Sequence, residues 1–585
     1  MGRRGSWVFL VCCSLGGGAS LASVVGCSKS DPKPAAVVPT PQTLSDHCQT
    51  AIGAPRVVKV TPNLFVAVGY DLANTIVLHT PDGNVVVDAM MSPERAKQAR
   101  AELSKLAPGP TRALIFTHSH IDHVGGASAW LDEGTEIWAT ARFREHFIKQ
   151  YGVFQRAERI RGVRQFGRNV DAKSLECSAL GRNPDFDLHV GGGIRMPTKT
   201  FSGKTSFSVG GVEVELVEAH GETDDELFVW IPSERALLPG DNFYRAFPNL
   251  YTIRGTRARP VSEWISSLDT MRRLEAEHLV PSHTVPVSGK QAIQQALVTY
   301  RDGIAYVRAA VVRGANAGLG VDELVDTIRL PPHLAKAAEL TELYGQVDWS
   351  VRAIYDNELG WFDGSPQALY PLPRKELSRR EIAAMGGSEK VLELARRSLE
   401  QGEARWALHL LSKLLDVGSE SARKDLKPLV ARALREVGKD VYNTNGRGYL
   451  LQSALEYEGK GSSLKPEVSD ALLAELPVST FFDTMATRLK ADEAKDVEET
   501  LKIHFRDLDE DVFVTVRKGV AEVAMGTALP GTPEPFATLT TDSLTWKRMA
   551  LGKDSPLSAS LDERLSVEGE LLRVRSFTER FDKGL

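Results

Sequence analysis

The first part of the chain shows short apolar runs separated by turn residues, a pattern that predicts β-strands. These predicted strands lie at 64–68, 75–78 and 85–88. The next stretch, 93–106, has the spacing of an amphipathic helix, and the apolar run 113–116 behind it predicts a buried strand.

The pattern continues with more strands and then changes to helical spacing. Gly210 and Gly211 predict a hairpin turn between the runs 207–209 and 212–216. Further strands are predicted at 226–231 and 236–238, and helices at 291–313, 321–328, 334–344 and 389–434. From about residue 478 strands and helices mix again. The chain thus predicts two sheets packed face to face with outer helices, followed by an all-α region and an α+β region.

The composition is that of several folded domains and argues against a nucleic-acid partner. The chain has 585 residues, 42% of them hydrophobic, which is enough for about three or four domains with separate cores. The formal net charge is −5, and basic residues are interspersed with acidic ones instead of forming a block. The segment 147–200 is polar and rich in glycine and arginine, which favours a lid or pocket wall over core.

The N-terminus predicts export and a lipid anchor. Two arginines precede an uncharged, largely apolar stretch at 7–25, and the residues before Cys27 resemble a bacterial lipobox. We therefore expect a signal peptide at 1–26, a lipidated Cys27 and a proline-rich tether at 27–50. The protein would then be lipid-anchored at the bacterial cell envelope, in the periplasm or at the outer membrane. An uncleaved membrane anchor is the alternative, since the stretch is about long enough to span a bilayer.

A dense histidine cluster directly follows the predicted strand at 113–116. Residues 117–123 contain three histidines and an aspartate, although the whole chain has only 13 histidines. Such donors at the end of a strand share a crevice, and they suit a borderline-soft divalent ion such as zinc. The run has donors for two adjacent ions, one bound by His118 and His120 and the other by Asp122 and His123. The alternative to a metal site is a histidine-rich loop at the protein surface that binds no metal ion.

Three later strand ends each offer one further metal donor. The segments 219–225, 240–241 and 281–284 follow predicted strands, and they contain Glu222, Asp241 and His283. Because strand ends meet at one edge of a sheet, we expect these side chains to lie near the histidine cluster.

The chain resembles the metallo-β-lactamase superfamily, whose His-x-His-x-Asp-His motif is complete at 118–123. Where that family normally has a histidine, this sequence has Glu222, a replacement found in its alkylsulfatase branch. Further similarity to that branch lies at 249–255, 330–332, 344–345 and 359–364. The resemblance implies an α/β fold, with a metallo-β-lactamase αββα sandwich at 51–302, an all-α dimerisation domain at 303–460 and an α+β sterol-carrier-like domain at 476–585.

The resemblance also implies a role for each candidate site residue. The first zinc ion would be bound by His118, His120 and Glu222, the second by Asp122, His123 and His283, with Asp241 bridging both. Asp241 stands where alkylsulfatases usually have glutamate. Arg254 would hold the sulfate through its planar guanidinium, and Tyr344 would also contact the sulfate. The implied cofactor is two zinc ions per chain, the implied assembly a homodimer, and the implied substrate a small alkyl sulfate.

We therefore expect zinc-dependent hydrolysis of alkyl sulfate esters to an alcohol and inorganic sulfate. A water shared by two zinc ions has a pKa near neutrality, so hydroxide is available for attack, and Asp122 and Asp241 are the candidate catalytic residues. One alternative is another binuclear zinc hydrolase acting on lactones or phosphoesters. A second is a non-catalytic, lipid-binding lipoprotein. The sequence leaves open whether Cys48 and Cys177 form a disulfide.

Overall fold

A seven-stranded mixed sheet forms the first layer of the fold. The computed structural model describes residues 39–461 and 468–582. The strands of this sheet follow one another in chain order: β1 (Arg56–Lys59), β2 (Leu64–Val68), β3 (Thr75–Thr80), β4 (Gly83–Val87), β5 (Thr111–Ile115), β6 (Glu136–Thr140) and β7 (Lys199–Phe201). The pairs from β1 to β4 are antiparallel, and those from β4 to β7 are parallel.

A six-stranded sheet forms the second layer and packs face to face against the first. Its strands are β8 (Lys204–Val209), β9 (Val212–Glu218), β10 (Leu227–Ile231), β11 (Ala236–Leu238), β12 (His278–Leu279) and β13 (Val287–Ser288). Side chains alternate along β2, so Leu64 and Val66 point into the core between the sheets, whereas Phe65 packs on the opposite face.

Helices cover the outer faces of both sheets. The helices that precede the all-α region are α1 (Pro41–His47), α2 (Pro93–Leu103), α3 (Ile121–Val124), α4 (Phe143–Ile148), α5 (Gln155–Gln165) and α6 (Val261–Arg272). α2 begins where the side chain of Ser92 accepts a hydrogen bond from the backbone of Arg95, and it buries Ala96 and Ala99 against the first sheet. α6 buries Trp264 and Leu268 over the second sheet. The predicted αββα sandwich is confirmed.

The middle of the chain is helical, as predicted. Its helices are α7 (Lys290–Asn316), α8 (Val321–Thr327), α9 (Pro332–Ala335), α10 (Val347–Leu359), α11 (Pro366–Leu369), α12 (Arg374–Ala384), α13 (Ser388–Glu400), α14 (Ala404–Val417), α15 (Glu420–Lys439) and α16 (Thr444–Tyr457). The predicted domain boundary at residue 302 falls inside α7, which buries Leu297 and Tyr300 in the core under the second sheet.

The helix predicted at 334–344 is wrong. The segment contains only the end of α9 and a single 3₁₀ turn at Ala338–Leu340. The amide of Asn443 donates to the carbonyls of Tyr344 and Gly345, so a side chain and not a helix satisfies this backbone. Gly345 also lies so close to Pro248 that a Cβ would come within 2.1 Å of its carbonyl oxygen.

The C-terminal region is an α+β unit built on a five-stranded sheet. Its strands are β14 (Glu498–Phe505), β15 (Glu510–Arg517), β16 (Val520–Met525), β17 (Pro535–Thr541) and β18 (Leu565–Gly569). Its helices are α17 (Asp470–Glu475), α18 (Val478–Ala486), α19 (Ser543–Ala550), α20 (Pro556–Leu561) and α21 (Leu571–Glu579). Leu472 of α17 packs into the core of the sandwich, so this unit touches the first domain.

A disulfide joins the N-terminal helices to the polar insertion. Cys48 and Cys177, which are 129 positions apart, form it with a Cα–Cα distance of 5.8 Å. Part of the predicted tether is therefore structured as α1 and the π-helical turn Cys48–Ile52. The predicted signal peptide and Cys27 lie outside the described residues. In the part of the chain that the structure describes, no helix is both long and apolar enough to cross a membrane.

Candidate metal centre

The histidine cluster lies at the carboxyl end of β5, a strand with parallel neighbours on both sides. The chain leaves the sheet after Ile115 and re-enters regular structure at α3, whose N-terminal cap is His120. The crevice beyond the strand ends is where ligands of such sheets are bound. All four predicted donors of this segment are buried: His118, His120, Asp122 and His123.

His118, His120 and Asp241 form one compact group of donors, with atoms that lie within 4.8 Å of one another. Nε2 of His118 lies 2.8 Å from Nδ1 of His120 and 3.9 Å from Oδ2 of Asp241. Burial and the neighbouring His123 lower the pKa of His118 well below its usual value, and burial and His118 do the same to the pKa of His120. Both imidazoles are therefore neutral near pH 7 and have a lone pair for a cation.

Asp122, His123 and His283 form the second compact group. Nε2 of His123 lies 3.5 Å from Oδ2 of Asp122 and 3.5 Å from Oδ1 of Asp241. Nε2 of His283 lies 3.1 Å from Oδ2 of Asp241. Asp241 thus lies between the two groups, and its role as a bridging ligand stays a prediction.

The charges of this second group depend on one another. Burial alone would lower the pKa of His123, but the carboxylates of Asp241, Asp122 and Asp88 raise it well above its usual value. Burial alone would raise the pKa of Asp241, but His283 and His123 hold it well below its usual value. The carboxylates therefore favour a positive charge at this point, which is the condition for binding a divalent cation.

Glu222 lies next to the first group but is held by an arginine. Its Oε1 accepts a hydrogen bond from Arg259, while its Oε2 is buried with no hydrogen-bond partner among the described residues. Burial raises the pKa of Glu222 to about 8; Arg259 opposes the shift and Asp241 reinforces it. The geometry thus brings Glu222 to the crevice, and its role as a ligand stays a prediction.

Sequence reasoning missed Asp88, which orients one of the predicted ligands. Asp88 follows β4 and accepts hydrogen bonds from Nδ1 of His123 at 2.8 Å, from the Ser282 hydroxyl at 2.6 Å and from the backbone N–H of Thr117 at 2.9 Å. The contact fixes which nitrogen of His123 carries the proton and turns Nε2 towards the crevice. The feature of the sequence that could have identified Asp88 is its position as a carboxylate at the end of a predicted strand.

Sequence reasoning also missed Glu226 and Arg259, because neither residue lies at a spacing typical of metal ligands. The carboxylate of Glu226 accepts from the backbone N–H of Glu222 at 2.9 Å and from that of Asp241 at 2.7 Å. One buried side chain thereby fixes the relative positions of two ligand-bearing loops.

Arg254 lies beside the first group of donors. One of its terminal nitrogens is 3.2 Å from Nε2 of His120, and its Nε donates to Glu158 at 3.0 Å. The residue is only 8% exposed, and its backbone N–H donates to Gln165 at 2.9 Å. The chain reaches this position through the irregular loop that follows the 3₁₀ turn Gly240–Asn242.

Tyr344 and Arg254 line the same cavity as the metal donors. The cavity has a volume of about 510 Å³, and Tyr344 is buried at its wall. The remaining wall is largely apolar and comes from the insertion and from α17; it includes Phe147, Phe166, Phe186, Leu188, Leu472 and Leu476. The buried guanidinium of Arg254 and the metal-donor candidates therefore share one continuous space with hydrocarbon side chains.

The sandwich and its two donor groups define a protein of the metallo-beta-lactamase superfamily, and residues 68–283 match that superfamily in sequence. Residues 320–460 match the alkyl sulfatase dimerisation domain, and residues 466–584 match the alkyl sulfatase C-terminal domain. The chain belongs to the alkylsulfatase family. The predicted succession of sandwich, helical domain and α+β domain is thereby confirmed.

Relatives of known function and structure carry the same family name. A linear primary-alkylsulfatase from Pseudomonas sp. is 32% identical over 529 residues, covering 86% of this chain and 98% of the relative. An (R)-specific secondary-alkylsulfatase from Pseudomonas sp. is 29% identical and covers 81% of this chain and 73% of the relative. The solved structure of the stereoselective inverting sec-alkylsulfatase Pisa1 from Pseudomonas sp. has a TM-score of 0.83 at 27% identity, covering 91% of this chain and 85% of that one.

Replacing Asp88 tests whether it positions His123. In Asp88→Asn the acceptor for the Nδ1 proton is weakened, so the affinity for the metal ion bound by His123 should fall about 10- to 100-fold. Metal affinity would be measured by competition with a chromophoric chelator. Asp82→Asn, in the exposed turn between β3 and β4, is the matched control and should bind metal like the unaltered protein. Unchanged affinity in a folded Asp88→Asn protein would contradict the assignment.

Proposed function

We propose that the protein hydrolyses alkyl sulfate esters to an alcohol and inorganic sulfate with two bound zinc ions. The observation that carries the proposal is the guanidinium of Arg254, which lies beside the donor group of His118 and His120 at a cavity with mostly apolar walls. An alkyl sulfate has the same two parts, a tetrahedral anion and a hydrocarbon chain. The names of the relatives, a linear primary- and an (R)-specific secondary-alkylsulfatase, support this substrate class.

The donor set fits metal ions. Three atoms are buried without a hydrogen-bond partner among the described residues: Nε2 of His123, Oε2 of Glu222 and Oδ1 of Asp241. Burying such atoms unpaired is unfavourable, so they suit coordination. The residues that would hold the ions are His118, His120, Asp122, His123, Glu222, Asp241 and His283. Zinc supplies Lewis acidity there, which makes water nucleophilic near neutral pH and stabilises charge on the ester.

Arg254 would orient the sulfate. Its Nε is held by Glu158, which fixes the plane of the guanidinium, and its terminal nitrogens lie next to His120 and Thr252. A planar guanidinium can donate two parallel hydrogen bonds to a tetrahedral oxyanion. Burial raises the pKa of Tyr344 above its usual value, so its hydroxyl remains protonated and can donate to a sulfate oxygen.

The apolar wall would bind the alkyl chain. Phe147 and Phe186 belong to the insertion region, and Leu472 and Leu476 come from the start of the C-terminal unit. Glu475 holds that unit in place, because its carboxylate accepts from the backbone N–H of Met196 at 2.6 Å. Burying each methylene of a substrate chain is worth about 0.8 kcal/mol, so such a wall favours hydrocarbon sulfates over inorganic sulfate.

Replacing Arg254 separates the sulfatase from other binuclear hydrolases. Arg254→Ala should retain both metal ions and lose about 2–5 kcal/mol in kcat/KM on alkyl sulfates, because a buried charge contact to the sulfate is removed. Arg254→Lys should recover only part of the activity, since an ammonium cannot donate in parallel pairs. Steady-state kinetics and metal analysis of the same preparations provide the measurement.

Two controls accompany this experiment. Arg257→Ala removes a half-exposed arginine of the same loop that pairs with Asp224, and it should leave kcat/KM nearly unchanged. A lactone is the uncharged comparison substrate. Equal losses on the lactone and the alkyl sulfate would assign Arg254 a structural role and count against the sulfatase.

The metal content provides a second test. The purified protein should contain about two zinc ions per chain, and His118→Ala and His123→Ala should each lower that number and abolish turnover. Mass-spectrometric metal analysis after dialysis measures the stoichiometry. Full metal retention in either variant would refute the ligand assignment.

We also propose that the protein is a homodimer. The match to the dimerisation domain supports this, and so do large apolar side chains exposed on the single chain in that region, with Trp361 72% and Tyr370 92% exposed. Light scattering at micromolar concentration should give twice the mass of one chain. A monodisperse monomer would contradict the proposal.

The proposed location is the bacterial cell envelope, through a lipid on Cys27. The supporting pattern lies in the sequence alone, in the apolar stretch before Cys27. In a bacterial host, mass spectrometry should find a diacylated Cys27 at the mature N-terminus, and Cys27→Ser should prevent both lipidation and this cleavage. An intact N-terminus with unmodified Cys27 would show the proposal to be wrong.

A further inference from the structure

Two more guanidinium groups line the cavity, and the proposed reaction does not use them. They belong to Arg159 on α5 and Arg168 just beyond its end. Residues three and four apart lie on one face of a helix, and Arg159, Val163 and Phe166 share the face of α5 that lines the cavity. Arg161, on another face, turns away and donates to the carbonyl of Ile253.

The guanidinium of Arg159 is incompletely paired among the described residues. Its Nη1 is buried and makes no hydrogen bond to them, and no carboxylate of the described chain forms an ion pair with it. The nearest carboxylate in sequence, Glu158, is engaged by Arg254. Burial and the neighbouring Arg156 lower the pKa of Arg159, and the carboxylate of Glu158 opposes this shift.

Arg168 is only partly paired. One terminal nitrogen donates to Asp187 at 3.0 Å, but that carboxylate is 88% exposed to solvent and neutralises the charge weakly. The other terminal nitrogen, Nη1, is buried and has no hydrogen-bond partner among the described residues. The cavity therefore contains two separate guanidinium groups with buried, unused donors.

In the proposed reaction a simple alkyl sulfate would leave these donors unused. Its single anionic group would lie against Arg254 and the metal site, and its chain would lie against the apolar wall. Unpaired buried donors are unfavourable, and an anionic ligand group is the natural acceptor for a guanidinium. Apolar side chains of the same wall, including Val163 and Leu188, provide a surface for the hydrocarbon that would join two anionic groups.

We propose that the cavity accepts sulfate esters whose hydrocarbon chain carries a second anionic group, a carboxylate in the simplest case, which Arg159 and Arg168 bind while the sulfate lies against Arg254. This inference rests on the proposed sulfatase function and narrows its substrate class. It assigns Arg159 and Arg168 to substrate specificity and not to the chemical step.

Kinetics with matched substrates test the inference. Alkyl sulfates and ω-carboxyalkyl sulfates of equal chain length would be compared over a series of lengths, below the concentration at which micelles form. At the best length, the carboxylated substrate should have a KM about tenfold lower than its unsubstituted counterpart, the effect of roughly one hydrogen bond between charged groups. If the carboxylated substrate shows no advantage at any length, the proposal is overturned.

Arginine variants locate the effect. Arg159→Gln should raise KM for the best carboxylated substrate about tenfold. It should leave kcat for that substrate, and both kcat and KM for the unsubstituted substrate, within about twofold. Arg159→Lys should recover part of the lost affinity. Arg168→Gln should act in the same direction. The matched control is Arg156→Gln, because Arg156 is an exposed arginine on α5 outside the cavity. This variant should have unchanged kcat and KM for both substrates. Equal losses on both substrates in the Arg159 and Arg168 variants would mean that these residues bind the sulfate or support the fold, and would refute the inference.

A binding measurement separates this inference from the proposed activity. Alkanesulfonates and ω-carboxyalkanesulfonates resemble the two substrates but have no ester bond to hydrolyse. Calorimetric titration of the metal-loaded protein should show about tenfold tighter binding of the carboxylated sulfonate, and Arg159→Gln should abolish the difference. If neither sulfate ester is hydrolysed but this difference is found, the sulfatase proposal fails and the two-anion site stands. If both esters are hydrolysed but the two sulfonates bind equally well, the sulfatase proposal stands and the two-anion site is refuted.

Discussion

Buried carboxylates that accept backbone hydrogen bonds hold the metal-donor loops at one point, and the rest of the site depends on them. Asp88 joins the loop after β5 to the loop after β12 through Thr117 and Ser282. Glu226 joins the two loops that carry Glu222 and Asp241. Each link lies in a dry interior, where a hydrogen bond is strong and an unpaired polar group is costly. Each carboxylate therefore fixes one pair of these loops relative to each other.

The cavity beside these loops is built by segments outside the sandwich core. α5 contributes the face that packs on Arg254, since Glu158 and Gln165 both accept hydrogen bonds from it. The part of the insertion that follows α5 is joined to the N-terminal helices by the disulfide at Cys177, close in sequence to Leu180 of the cavity wall. α17 closes the wall from the C-terminal unit. The sandwich thus carries the two donor groups, whereas the added segments form most of the apolar wall of the cavity beside them.

Charge is distributed unevenly around that cavity, and this distribution links the proposed reaction to the proposed substrate class. The arginine nearest the donor groups, Arg254, has a buried carboxylate, that of Glu158, as its counter-charge. Arg159 forms no ion pair among the described residues, and Arg168 pairs only with an exposed carboxylate. A paired arginine keeps its orientation without a ligand, while an unpaired one gains most when an anion binds. The first arrangement suits a catalytic site, and the second suits recognition of a substrate group.

The sequence by itself determined the features that depend on neighbouring residues. Alternating apolar runs predicted the strands, and the spacing at 118–123 predicted two donor groups, because a short loop after a strand can place its side chains in only one crevice. Contacts between distant segments were decided by tertiary structure. The loop at Tyr344 and the Cys48–Cys177 disulfide depend on partners that lie far away in sequence. The unpaired nitrogen of Arg159 depends on the absence of an acceptor among the described residues around it. No local pattern encodes such partners, because packing of the complete fold selects them.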